Sequence, residues 1–114
     1  MKLIAVVATS ALYAAAAHAE MKTVQDVARA GDNKEVASYI GTNGEAFAWV
    51  NAELQSTGKD PVYCVPGELG ITNNQYVSIL RSYLDDYPSM KEVEFAQLPM
   101  VLLHALMQTF PCKN

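Results

Sequence analysis

The chain has 114 residues, of which 51% are hydrophobic and 18% charged, and its formal net charge at pH 7 is −4. This length accommodates one small domain. The acidic balance, with no basic patch, argues against nucleic-acid binding.

The first 19 residues have the pattern of a cleaved secretory signal. Lys2 supplies the positive start, residues 3–17 are small and apolar, and Ala17-His18-Ala19 forms an A-x-A cleavage box before Glu20. A retained membrane anchor is the alternative, but the apolar segment is short for that role. We therefore predict an exported domain spanning residues 20–114, with seven basic and twelve acidic residues and a net charge of −5.

Apolar spacing in the exported part is helical throughout. Thr23, followed by Asp26 three residues later, predicts a capped first helix over 23–30, and Gly31 is its stop signal. A second helix is expected to begin near Asp32 or Asn33. Its apolar stripe is Val36, Ile40, Phe47, Val50 and Leu54.

Two glycines interrupt this second helix. Gly41 and Gly44 each cost about 1 kcal/mol against alanine inside a helix. Because they are three residues apart and the stripe keeps its phase, we favour one continuous helix with a small-residue face that another helix can approach. A break at Thr42-Asn43-Gly44 is the alternative.

Residues 56–71 predict a long loop, since they hold three glycines and two prolines. Cys64 lies within this loop, and Tyr63 and Val65 are expected to pack against the core beside it. A third helix should begin at Thr72, which forms a capping box with Gln75, and Pro88 should end it.

A connector over 89–97 leads to the last helix, where Pro99 fits the first turn. The run Met100 to Met107, broken by His104, is apolar on nearly every side but far shorter than the roughly 20 residues of a membrane span. We predict an all-α bundle of about four helices around this buried C-terminal helix.

Cys112 follows the last helix and has one partner available in the chain, Cys64. An exported domain of this size gains from such a staple, and a bridge closing a loop of about 48 residues stabilises by roughly 4 kcal/mol in the chain-entropy model. Two free thiols or an intermolecular bridge are the alternatives.

Catalytic groups are sparse. His104 is the one histidine after the signal segment, and we expect it at the edge of the core with a satisfied hydrogen bond. Asp85 and Asp86 diverge by about 100° on a helix and do not face one site. Trp49 lies off the apolar stripe, toward Gly41 and Glu45, and is a candidate contact residue. We predict neither an enzyme nor a metal or cofactor site.

Five short patterns, in order, make the region from Val36 to Cys112 similar to a known family. They are Tyr39-Ile40-Gly41, Tyr63-Cys64-Val65-Pro66, Thr72-x-x-Gln75, Tyr83-Leu84-x-x-x-Pro88 and Ala105-Leu106-x-x-x-Phe110-Pro111-Cys112. Together they resemble the Tai/Rap-type immunity proteins of the periplasm. The resemblance implies a small helical protein with an intramolecular disulfide that binds a peptidoglycan amidase delivered by type VI secretion and occludes its active site.

The resemblance carries the bridge and the core helices but does not locate the partner site. Our hypothesis for that site is the exposed acidic region, together with Trp49; its acidic residues are Asp85, Asp86, Glu92 and Glu94. Homodimerisation is left open. The competing function is a small periplasmic chaperone of the acid-stress type with no dedicated toxin partner, which would have to open by carboxylate protonation.

Overall fold

The structure is a computed structural model that describes residues 21–67 and 70–113. Within these ranges the chain is all-α, and the predicted fold class is confirmed. Four α-helices are present: α1 (Val24–Arg29), α2 (Lys34–Ser56), α3 (Asn73–Asp86) and α4 (Leu98–Thr109). Short 3₁₀ helices cover Ala30–Asp32, Pro88–Glu92 and Phe95–Gln97. The predicted signal segment lies outside the described residues, among which no helix is long and apolar enough to cross a membrane.

The helix starts follow the caps expected from the sequence. Thr23 with Asp26, and Thr72 with Gln75, both form reciprocal capping boxes. The Asn33 side chain accepts hydrogen bonds from the first turn of α2. These contacts satisfy backbone N–H groups that have no partner within the helix.

Helix α2 is continuous through its glycines, as we favoured from the phase of the stripe. The side chains of Thr42 and Asn43 donate hydrogen bonds to the carbonyl oxygens four residues earlier, at 2.8 and 3.0 Å. These bonds lie within the helix, so neither side chain interrupts it. A Cβ atom on Gly41 would meet Asn73, and one on Gly44 would meet the Tyr76 ring. The small-residue face therefore lets the start of α3 approach the α2 backbone closely.

The core is formed by one face of each helix. Its fully buried members include Val24 and Val27 of α1, Ile40 of α2, Leu80 of α3 and Leu102 of α4. Helix α3 packs on α2 near Gly44, and its later turns lie against the segment that follows α1, where Val77 and Arg81 surround Gly31.

The C-terminal helix is less enclosed than its composition predicts. Leu98, Val101, Leu102, Ala105 and Leu106 are buried, whereas the opposite face is exposed to solvent. Met100 and Met107 on that face are each 40% exposed. The predicted buried C-terminal helix is thus confirmed for its inner face, and its outer face is open to solvent because the other helices cover one side only.

The start of the domain is fastened to the connector. Thr23 and Glu94 form an isolated antiparallel β-bridge, in which the Val24 N–H donates to the Val93 oxygen at 2.8 Å and the Phe95 N–H to the Lys22 oxygen at 2.9 Å. The Phe95 ring stacks on Tyr39 of α2, with centroids 5.6 Å apart. The connector is thus built into the bundle rather than being a free loop.

The Cys64–Cys112 bridge is present, which confirms the predicted pairing. The two Cα atoms are 4.9 Å apart, and the Cys64 N–H donates to the Phe110 oxygen at 2.8 Å. Neither cysteine is left as a free thiol. The bridge joins the middle of the loop between α2 and α3 to the residues directly after α4.

Replacing Gly44 by alanine should destabilise the fold. The new methyl group would enter the space of the Tyr76 ring, which is 1% exposed and has little freedom to move. Overpacking costs about 1–3 kcal/mol and exceeds the helix-propensity gain of about 1 kcal/mol. Urea unfolding monitored by circular dichroism measures the loss. Gly70→Ala, in open space, is the control; equal unfolding free energies for the two variants would contradict this packing.

Removing the bridge should have a larger effect. Cys112→Ser reopens a loop with a sequence separation of 48 residues. The chain-entropy model then predicts that the free energy of unfolding falls by about 4 kcal/mol. This is a large part of the 5–15 kcal/mol that is typical of native proteins. The same loss is expected for the parent protein under reducing conditions. Unchanged denaturant midpoints with and without reductant would show that the bridge does not hold the fold.

Candidate functional site

A concavity of the described chain lies between the second half of α2 and the disulfide loop. It is an open cleft of about 330 Å³. Glu45, Ala48, Ala52 and Gln55 of α2 form one side, and Tyr63 and Val65 of the loop form the other, with Tyr76 of α3 at the base. The cleft therefore exists only while the loop is held against α2.

Asn51 holds the loop in place. Its side-chain nitrogen donates to the Tyr63 carbonyl oxygen at 2.9 Å, and its Oδ1 accepts from the Val62 N–H at 2.8 Å. Asn51 is the buried polar residue of the described chain, at 9% exposure. It was not selected from the sequence, although a polar residue between Phe47 and Leu54 on the apolar stripe of α2 could have identified it.

Two tyrosine side chains lie deep in the cleft. Tyr63 is 2% exposed, and its hydroxyl has no hydrogen-bond partner among the described residues. Burial raises the pKa of the Tyr63 hydroxyl, and the Glu45 carboxylate raises this pKa further. Burial also raises the pKa of Tyr76, and the Glu45 carboxylate, the neighbouring Tyr63 and a hydrogen bond to Glu45 raise it further. Both phenols are therefore neutral at physiological pH and able to donate or accept a hydrogen bond.

Glu45 gives the cleft its charge. It is the one charged side chain among the described residues that line the cleft, and it lies near enough to both tyrosines to affect their pKa values. No basic side chain of the described chain pairs with it. The cleft is thus a negative site with hydroxyl groups beside the carboxylate.

Trp49 lies next to this cleft. Its side chain is 75% exposed, the highest value among the large hydrophobic residues of the described chain. Residues three and four apart are neighbours on a helix, so Glu45 and Ala52 at the cleft adjoin Trp49. Ala46 adjoins it on the other side, Val50 lies one turn beyond Ala46, and both are exposed, as is Glu53 four residues after Trp49. We call Ala46, Trp49 and Val50, together with the adjacent cleft, the α2 surface.

The acidic residues proposed from the sequence lie elsewhere. Asp85, Asp86, Glu92 and Glu94 are all exposed. They are at the end of α3 and in the connector, whereas Trp49 lies beyond Gly44 on α2, on the far side of the contact between the two helices. The structure therefore divides the predicted partner-binding residues into two separate surfaces.

The acidic region is also less uniform than its sequence suggests. Asp85 shares a shallow pocket with Arg29, Arg81 and Lys91. The Arg81 guanidinium in turn donates to the Ala28 carbonyl at 2.8 Å and pairs with Asp32 at 3.3 Å. This surface carries charges of both signs, so a purely acidic face is not formed there.

His104 is not where we expected it. It lies on the outer face of α4 and is exposed to solvent. The expectation of a core-edge histidine was wrong because α4 is buried on one face only. Among the described residues, no group of three or more His, Cys, Asp or Glu side chains is placed to hold a metal ion.

Comparisons with protein-family models, curated proteins and solved structures found no match to this chain.

Removing the Asn51 side chain should release the loop. Asn51→Ala leaves the Tyr63 carbonyl and the Val62 N–H without their partners, which should lower the free energy of unfolding by about 2–3 kcal/mol. Hydrogen exchange at Val62 should accelerate by more than the global loss explains. Asn43→Ala is the matched control, because its bond to the Tyr39 oxygen is exposed and local. Similar losses for both variants would contradict the assigned role of Asn51.

Proposed function

We propose that this chain is an exported, non-enzymatic binding protein of the immunity type, which neutralises a peptidoglycan amidase by covering its active site. Several residues in the patterns that resemble the Tai/Rap-type family have a structural role in this fold. Gly41 admits Asn73, Thr72 caps α3, and Cys64 and Cys112 form the bridge. They support a shared scaffold, and the binding surface must be argued separately.

The exposure of Trp49 carries the proposal. An indole ring that is 75% exposed on a regular helix, with the exposed Ala46 beside it, leaves a large apolar side chain in water. Tryptophan is enriched among the residues that dominate the energy of protein interfaces. Because the ring lies on a 23-residue helix fixed by the core, little order is lost when a partner covers it.

Inhibition in this proposal is steric. The α2 surface is held rigid by the core, by Asn51 and by the disulfide, and it blocks the partner's cleft without chemistry. The net charge of −5 for residues 20–114 would accelerate encounter with a basic partner. The exposed acidic residues at the end of α3 and in the connector would then act on the rate of association rather than on the lifetime of the complex.

The test is co-expression in the periplasm with peptidoglycan amidases of type VI secretion, beginning with any amidase that is encoded beside the gene for this chain. The parent protein should prevent lysis and inhibit the purified amidase. Trp49→Ala should weaken binding by about 2–4 kcal/mol, or roughly 30- to 1,000-fold in Kd, as expected for a central aromatic contact. Calorimetry measures Kd, and circular dichroism checks folding.

Two further variants sharpen this experiment. Met107→Ala removes a 40% exposed apolar side chain from α4 and should leave Kd unchanged. The double variant Asp85→Asn/Asp86→Asn should slow association with little change in dissociation. Failure of the parent protein to bind or inhibit the amidase would refute the proposed function. Full inhibition of the amidase by the Trp49→Ala variant would show that the α2 surface is not the binding surface.

A further inference from the structure

We propose that the outer face of α4 is a self-association surface, on which α4 of a second copy of this chain packs antiparallel about a two-fold axis. The face is a stripe of four side chains, Met100, Leu103, His104 and Met107, at helical spacings of three, four and seven residues. This stripe is separate from the α2 surface, and the inference does not depend on the proposed function.

The stripe leaves apolar side chains in water. Met100 and Met107 are each 40% exposed, His104 is exposed, and Leu103 between them is half-buried. Helix α4, Leu98–Thr109, contains no Asp, Glu, Lys or Arg, whereas the exposed positions of α2 and α3 include several charged side chains. An apolar face without charge on the outside of a protein is typical of an interaction site.

The order of side chains along the stripe favours pairing with itself. From either end it reads as a methionine, two other residues, a central pair, two other residues and a methionine. An antiparallel pair with its two-fold axis between positions 103 and 104 therefore sets Met100 against Met107 of the second copy. Leu103 then lies against His104 of the second copy. Such a contact uses the same patch on both molecules, and the flexible methionine side chains fill irregular space between the helices.

The charge of the chain favours a second copy over a basic protein as the occupant of this face. Residues 20–114 carry a net charge of −5, so two copies repel each other over most of their surface. The α4 stripe holds no carboxylate, so two copies that meet there place no like charges directly opposite. A basic partner has no counter-charge on the stripe and is attracted instead to the acidic residues at the end of α3 and in the connector.

The size of the stripe determines the strength of the contact. Helix α4 has 12 residues and is therefore about 18 Å long, so one face of it covers less than the roughly 800 Å² per partner of a standard stable interface. The same axis sets the exposed Gln97 against the half-buried Phe110 of the second copy, which lengthens the contact at both ends. We therefore expect a weak, reversible dimer with a Kd of about 10–500 µM.

Reciprocal charge substitutions test both the face and the antiparallel direction. Met100→Lys or Met107→Glu alone places an unpaired charge at each end of the contact and should raise Kd at least about tenfold. An equal mixture of the two variants should form a heterodimer, because the introduced lysine of one chain faces the introduced glutamate of the other. The double variant Met100→Lys/Met107→Glu should dimerise as well, since both ends then hold a pair of opposite charges.

Sedimentation equilibrium of the disulfide-bonded exported protein, at concentrations up to about 1 mM, measures these Kd values. Circular dichroism checks that each variant is folded. Ser82→Lys, at an exposed position of α3, makes the same change in net charge as Met100→Lys and is the matched control. It should self-associate at least as strongly as the parent, because it lowers the long-range repulsion without touching the stripe.

Several outcomes would overturn the inference. A parent protein that is monomeric at about 1 mM would assign the stripe to a different kind of partner. Single charged variants that self-associate as the parent does, or a mixture that forms no heterodimer, would exclude the antiparallel contact of α4. Loss of self-association in Trp49→Ala, with the α4 variants unaffected, would place the contact on the α2 surface instead. Because no amidase is used, each result is independent of the proposed function.

Discussion

The covalent link between Cys64 and Cys112 is the constraint on which the rest of this structure depends. The described part of the loop between α2 and α3 has no helix or strand of its own, and its Gly58 and Gly67 have the positive φ angles typical of turns. The bridge fixes the middle of this loop to the end of α4. Asn51 then needs to secure only the short segment before it, and the cleft acquires a rigid wall.

The α2 surface combines a stabilised scaffold with groups that stability alone would not select. The Tyr63 hydroxyl has no hydrogen-bond partner among the described residues, and burying such a group costs about 1–3 kcal/mol. The bridge offsets this cost with about 4 kcal/mol of loop-closure entropy. Trp49 is 75% exposed and contributes nothing to the core, so its position on the α2 surface supports a binding role for that surface.

Local sequence patterns were sufficient to predict the helices but not the candidate binding site. Thr23, Asn33 and Thr72 identified helix starts because a cap acts within three residues of itself. The phase of the stripe across Gly41 and Gly44 predicted a continuous α2. The exposed face of α4 was missed, since burial depends on how many helices cover it. The cleft was missed as well, because it joins Glu45, Tyr63 and Tyr76, which are brought together only by the bridge and the crossing of α2 with α3.

The separation of Trp49 from the acidic residues bears on how a partner would be held. Exposed ion pairs contribute about 0–1 kcal/mol and are screened by salt over roughly 8–10 Å, so Asp85 and Asp86, with Arg29 and Lys91 nearby, add little to the strength of a complex. In the proposed complex, long-range attraction would therefore come from the net charge, and the lifetime would be set by the apolar contact of Trp49 on α2.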